Sequence, residues 1–271
     1  MNVELLIIDP QNDFCNPNGA LFVAGADQDM SRLAKMITRI HHKLNDIHVT
    51  LDSHHLVDIA HPIFWMRQDG THPIPFENGL PVMITAKDIK DGIYRTTKPQ
   101  HQARATDYIN QLEANGRYPL TIWPPHCLIG HPGSTVVPEL YEALALWESS
   151  FAMVDYVTKG SNFWTEHYSA VQADVPDPKD PGTHLRTDDE SLIGILPGAD
   201  IIGLAGEARS HCLANTATDI ANKFGEENIK KMVLLTDATS DVTGCETMGE
   251  EFVSAMVARG MQLSTTEEFL K

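Results

Sequence analysis

The chain has 271 residues, 42% of them hydrophobic and 21% charged, which is material for one large α/β domain with a sizeable core. Its 37 acidic and 20 basic side chains leave a net charge of −17, with no Lys/Arg cluster against that background. Nucleic acid and anionic membrane surfaces, which need clustered positive charge, are thereby disfavoured as partners.

The first residues, MNVELLIIDPQNDF, hold an apolar run too short and too soon broken by acids for a signal peptide. No stretch approaches the roughly 20 apolar residues that a membrane-spanning helix requires. Cys15, Cys127, Cys212 and Cys245 lie far apart without CxxC spacing, so neither a disulfide scaffold nor a zinc ribbon is expected. A reduced, cytoplasmic protein is the expectation.

In chain order, VELLII (3–8) reads as a buried strand, followed by Met30, Leu33, Ala34, Ile37, Ile40 and Leu44 at helical spacing. IHVTL (47–51) reads as a second strand, 137–147 as a helix, and FAMVDYV (151–157) as a third strand. DIIGLA (200–205) and KMVLLTD (231–237) are further strands, each followed by a helix, over 213–224 and 247–259. Continuous apolar strands alternating with amphipathic helices predict a doubly wound parallel sheet with helices on both faces. Residues 65–119 and 172–190 break the rhythm and read as excursions from a single domain spanning 1–271. The first is long enough to be a lid or a contact within a homo-oligomer.

Reactive side chains recur where these strands end. Asp9 follows the first strand, Asp52 the second, Lys159 the third, and Cys212, in GEARSHC, lies beyond the 200–205 strand at the start of a helix. Taken alone, Asp9 reads as a turn carboxylate, Lys159 as a surface amine and Cys212 as a small buried residue. Together they fall on one rim of a parallel sheet, where ligands bind. The helix N-terminus and the ammonium favour thiolate at Cys212, and the carboxylate can shuttle the thiol proton to a leaving amine. A thiolate so placed can attack an amide carbonyl and form a thioester. A second group, Asp52 and His54 on one side of an extended segment with His126 in WPPHCLIGHPG, suits a divalent metal. Zinc is the first choice, with iron and manganese as alternatives; His55, His61, His72 and His131 compete for the site.

The motifs IIDPQNDFCNPNGAL, LDSHH, WPPHCLIGHPG, VTKGSNFW and GEARSHC, in this order, resemble those of the nicotinamidases among the isochorismatase-like cysteine hydrolases. The resemblance implies a sheet of about six parallel strands and an Asp9–Lys159–Cys212 triad. It also implies a metal on Asp52, His54 and His126 that orients the pyridine nitrogen of nicotinamide. Phe14 and Trp123 would stack the substrate ring, with Gln11 and His211 also assigned to substrate binding. The backbone N–H groups of Ala208 and Cys212 would form the oxyanion hole, with a cis peptide before Ala208. Two features depart from the family: Arg209-Ser210 replaces a common Thr-Asp pair, and Glu207 stands where an apolar residue is usual. The alternatives are an amidase for another carboxamide or an N-carbamoyl compound, and a non-catalytic scaffold.

Overall fold

The computed structural model describes residues 1–116 and 118–271, so one position of the 65–119 excursion, Arg117, lies outside the described residues. In chain order the strands begin with β1 (Val3–Ile8), β2 (Asp46–Asp52), β3 (Trp65–Arg67), β4 (Phe76–Glu77) and β5 (Leu80–Ile84). They continue with β6 (Tyr94–Thr96), β7 (Leu120–Ile122), β8 (Asp155–Lys159), β9 (Ile201–Gly206), β10 (Met232–Leu235) and β11 (Gln262–Ser264). Six of them form one sheet in the order β11-β10-β9-β1-β2-β8, and every pairing is parallel.

Both faces of this sheet are covered, which is why its central strands are apolar without alternation. Val3, Leu5 and Ile7 of β1 pack with the helix Ala26–Ile40 and the helix Pro138–Glu148. Leu6 and Ile8 point the other way, into a core shared with the helix Ala214–Phe224 and with Phe252 and Met256 of the helix Glu246–Ala258. Met30, Leu33, Ala34, Ile37 and Ile40 are all buried on the first helix, as their spacing predicts. Pro138 opens the second at a position where a missing N–H costs nothing.

Two strands of the main sheet differ most from the sequence reading. The third sheet strand is Asp155–Lys159, not 151–157: Phe151 has a φ of 68° and, with Met153, is exposed, so the apolar residues before Val154 do not enter the sheet. The sixth strand, Gln262–Ser264, is three residues long and largely exposed, and carries no apolar run to announce it.

The 65–119 excursion is ordered around a core of its own. Trp65, Ile84, Tyr108, Ile109 and Leu112 cluster there with Leu120, Ile122 and Trp123, beneath the helix Gln102–Asn115. β3 pairs with β6, while β4, β5 and β7 form a small antiparallel sheet. Val175 joins this core from the 172–190 segment, so the two excursions pack together. No helix among the described residues is long and apolar enough to cross a membrane.

Candidate active site

Counted within the main sheet alone, the strand order is third, second, first, fourth, fifth, sixth, so the winding reverses between β1 and β9. A crevice opens at the carboxyl ends of strands at such a reversal. Asp9 leaves β1 on one side of it, and the turn carrying Cys212 leaves β9 on the other. Gly206 is required at the junction. Its φ is 106°, and a Cβ there would sit 2.1 Å from the carbonyl oxygen of Ile8.

Asp9, Lys159 and Cys212 meet in this crevice. Lys159 Nζ lies 2.9 Å from Asp9 Oδ2 and 3.6 Å from Cys212 Sγ, and all three residues are buried. Thr50 Oγ1 donates to Asp9 Oδ1 at 2.6 Å and accepts from the Asp9 N–H at 3.0 Å, which fixes the carboxylate. Burial raises the Asp9 carboxyl above its ordinary range despite the pull of Lys159. Burial also pushes the Cys212 thiol well up, opposed by Lys159 and reinforced by the negative charge of Asp9 and Asp52. The balance therefore favours a neutral thiol, where the sequence reading expects thiolate. Burial would depress Lys159, but Asp52 and Asp9 outweigh it and keep the amine protonated.

Cys212 sits in a wide turn, Arg209–Leu213, of π-helix geometry that runs directly into the helix Ala214–Phe224. His211 N and Leu213 N donate to the Ala208 carbonyl at 3.0 and 3.1 Å; the N–H groups of Ala208 and Cys212 take no part in those two bonds. The Glu207–Ala208 peptide is cis.

Asp52, His54 and His126 form a second group beside the first, and their ligand atoms all lie within 4.8 Å of one another. Asp52 Oδ2 is 3.0 Å from His54 Nε2 and 3.4 Å from His126 Nε2. The other ring nitrogens are engaged: His54 Nδ1 faces Asp58 Oδ2 at 3.0 Å and His126 Nδ1 faces the Pro124 carbonyl at 2.9 Å. Both Nε2 lone pairs are thus presented toward the carboxylate, the arrangement a metal-ligating imidazole requires. Burial would lower the His54 pKa, yet Asp52 and Asp58 raise it well above the ordinary value, so this point calls for positive charge. The donor set of one carboxylate and two imidazoles fits a divalent cation with open positions. His61 stands 5.3 Å from His54 by ring centroid but outside the group of three, and burial lowers its pKa to about 4.

Backbone pairing holds this group in place. His54 N donates to the Cys127 carbonyl at 3.1 Å and Ile129 N to the His54 carbonyl at 3.0 Å, which brings the His126 loop to β2. Asp13 Oδ2 accepts from Cys127 N at 2.7 Å. Gly160 leaves room for the ligands, since a Cβ there would meet Asp52 Oδ1 at 2.7 Å. Lys159 Nζ is also 3.1 Å from Asp52 Oδ1, so one ammonium touches both groups.

Cys212 of the first group and Asp52, His54 and His126 of the second face one cleft. Phe14, Trp123, Ala208 and His211 line it, as the sequence reading has them. Phe14 meets His126 edge-on at 5.3 Å, and Trp123 meets His211 edge-on at 5.6 Å. Gln11 is placed differently. Its amide donates to the Asp52 and Ser134 carbonyls at 2.7 and 2.9 Å and accepts from Asp52 N at 2.7 Å, so it holds the backbone of a metal-site residue and does not line the cleft. Leu21, Val23, Glu166, His167, Tyr168 and Val242 complete the wall and are absent from the sequence reading. Glu166 and His167 stand only seven and eight residues beyond Lys159, and that proximity was the one available signal. Burial raises the Glu166 carboxyl to about 8 and lowers His167 to about 3, so both favour their neutral forms at pH 7.

No protein-family model and no curated protein matches the sequence. Solved structures do match, along nearly the whole chain. The nicotinamidase/pyrazinamidase of Acinetobacter baumanii shares 20% identity at a TM-score of 0.63, over 99% of this chain and 98% of that one. The yeast nicotinamidase bound to the inhibitor nicotinaldehyde shares 17% at 0.64, over 97% and 99%. The chain has the nicotinamidase fold. A pyrazinamidase of Pyrococcus horikoshii in complex with zinc shares it too, at 20% identity and a TM-score of 0.56, over 98% and 99% of the two chains.

Proposed function

We propose that the protein is a metal-dependent cysteine amidohydrolase that converts nicotinamide to nicotinate and ammonia through a thioester. The observation that carries this reading is the buried contact of Lys159 Nζ with Asp9 at 2.9 Å and with Cys212 Sγ at 3.6 Å, Cys212 itself lining a cleft that Phe14 and Trp123 also line. Asp9 takes the thiol proton as Cys212 attacks the carboxamide carbon, and the C=O oxygen becomes an oxyanion facing the Ala208 and Cys212 N–H groups. The protonated Asp9 then gives its proton to the departing nitrogen, the C–N bond breaks, and ammonia leaves. Water, deprotonated by the same carboxylate, adds to the thioester and releases the acid, returning the proton to the thiol. Lys159 stays protonated throughout and offsets the negative charge that passes between Asp9 and Cys212.

Phe14 and Trp123 offer aromatic surface to a flat ring. A divalent cation on Asp52, His54 and His126, zinc by donor type and by the zinc complex of the Pyrococcus horikoshii neighbour, would supply a Lewis-acidic docking point for a ring nitrogen.

Ammonia release from nicotinamide, a two-nitrogen ring carboxamide, an aliphatic carboxamide and an N-carbamoyl amine tests the proposal. The aromatic carboxamides should turn over, and Cys212→Ala should abolish turnover while the amide still binds. Cys127→Ala and Cys245→Ala should remain active. Turnover by Cys212→Ala comparable with the unmodified protein would overturn the mechanism, and release from the N-carbamoyl compound alone would replace the substrate.

A further inference from the structure

Glu207 immediately precedes Ala208 and is fully buried, on a strand end where a carboxylate has no obvious place. Its surroundings explain it. Oε2 accepts from Ser240 N at 3.0 Å, while the Ser240 hydroxyl donates to Asp29 Oδ2 at 2.5 Å, so one serine joins two buried acids. Asp29 Oδ1 is paired with Arg32 at 2.5 Å, which supplies one positive charge for two carboxyl groups. Glu207 Oε1 is buried and receives no donor. That atom is satisfied if it carries the proton itself and donates to Asp29. Burial, with Asp29 alongside, pushes the Glu207 carboxyl well above the carboxylate range. The other ionisable groups nearby are Cys15, whose thiol burial keeps protonated, and Asp241, which is ion-paired with Arg209.

The same two segments are tied along their length. Gly206 N donates to the Ala238 carbonyl at 2.9 Å and Arg209 N to the Ser240 carbonyl at 2.8 Å. Thr239 Oγ1 donates to the Gly206 carbonyl at 2.6 Å, and Val242 N donates to Ser210 Oγ at 3.1 Å. The Arg209–Asp241 ion pair closes the far end. The Ser240 hydroxyl, which donates to Asp29 Oδ2 at 2.5 Å, carries these links on to the helix Ala26–Ile40, where Asp29 stands beside Glu207.

We infer that Glu207 is a positioning residue that, as a neutral carboxylic acid shared with Asp29, clamps the turn bearing the Ala208 and Cys212 amides to the 238–242 segment and the helix behind it. Protonated, it donates to Asp29 and accepts from Ser240 N. Ionised, it sets two carboxylates against each other beneath that turn, and the clamp opens. Its role in turnover rests on the amidohydrolase reading; its protonation and its hold on the turn do not.

Three measurements on Glu207→Gln and Glu207→Leu test this. In the infrared, the unmodified protein at neutral pH should show the carbonyl stretch of a protonated carboxylic acid that Glu207→Gln lacks; no difference there would mean an ionised Glu207 and overturn the inference. Amide hydrogen exchange over 206–213 should be faster in Glu207→Leu and near that of the unmodified protein in Glu207→Gln, which keeps a donor and an acceptor. Equal protection in all three would overturn the clamp. In turnover, Glu207→Leu should lose roughly tenfold or more in kcat with little change in KM, as for a loosened oxyanion site. Glu207→Gln should stay within about threefold and hold its kcat to higher pH, because it has no proton to lose. A Gln variant as impaired as Leu would reject the positioning role. Should Glu207→Leu fail to fold, the infrared difference and the Gln pH profile still decide. Absence of ammonia release by the unmodified protein from every carboxamide would defeat the functional reading and leave the infrared and exchange results standing.

Discussion

Asp58 reaches the metal group only through His54, and it shows what a single residue can reveal in a sequence. Its Oδ2 lies 3.0 Å from His54 Nδ1, while Oδ1 accepts from Ala60 N at 2.9 Å. Asp58→Asn keeps the shape and weakens the orienting bond, so metal affinity is expected to fall by about 10- to 100-fold with little loss of stability. Competition with a fluorescent chelator measures it, and an unchanged affinity would show that Asp58 does not tune the site. Asp9, Asp52, Lys159 and Cys212 were legible because each marks the end of an apolar run or the turn beyond it. Asp58, Thr50, Asp13 and the structural use of Gln11 were not, because their roles lie in contacts between segments distant in sequence or in the choice of one ring nitrogen over another.

At the scale of elements, periodicity located the five longer strands of the main sheet, with both ends of β1 but not those of the other four. FAMV looks like strand, yet β8 is the more polar DYVTK, an edge strand with one neighbour. Its first residue takes part in a partly buried polar chain: His48 lies 2.9 Å from the half-exposed Asp155 and 3.4 Å from the buried Glu4. Burial would lower His48, but the hydrogen bonds to Glu4 and Asp155 win and raise it above its ordinary value. A raised histidine stabilises fully below the unfolded value of about 6.5 and loses that contribution as pH rises through the folded one. The thermal midpoint should therefore step down as pH rises beyond about 6.5, and His48→Leu should lack the step. The variant should also be less stable by about 3–5 kcal/mol near pH 6, because Glu4 loses its buried partner. A midpoint that tracks pH identically in both proteins would count against the assignment. The 65–119 excursion was legible as a departure but not as a core, since Trp65 and Ile84 come from short strands and Tyr108 from a helix, without a shared period. β7 leads straight into Trp123, and Phe76 in β4 meets that ring edge-on at 6.2 Å. Phe76→Ala should raise KM for aromatic carboxamides several-fold relative to aliphatic ones, with stability within about 0.5 kcal/mol because Phe76 is exposed. An unchanged ranking across the panel would leave the hairpin without a part in selectivity.

Across the whole molecule, the sheet order places the crevice at the reversal between β1 and β9, and the core of the 65–119 excursion backs Trp123, which lines the cleft. That order could be reached from sequence only through the resemblance, since alternating strands and helices fix the layers but not which strand is central. The ammonium of Lys159, 2.9 Å from Asp9 and 3.1 Å from Asp52, makes the two halves of the site a single thermodynamic system. A cation on Asp52 is repelled by that ammonium, so Lys159→Met, inactive in turnover, should bind zinc at least several-fold more tightly. Weaker or equal binding would uncouple the halves. Linkage is reciprocal: whatever Lys159 costs the metal, the metal returns as a bias on the groups Lys159 serves. Zinc neutralising Asp52 relieves the thiol of one negative neighbour, so alkylation of Cys212 should quicken when metal is bound and slow when a chelator strips it. Metal supply would then set the readiness of the nucleophile as well as the grip on substrate.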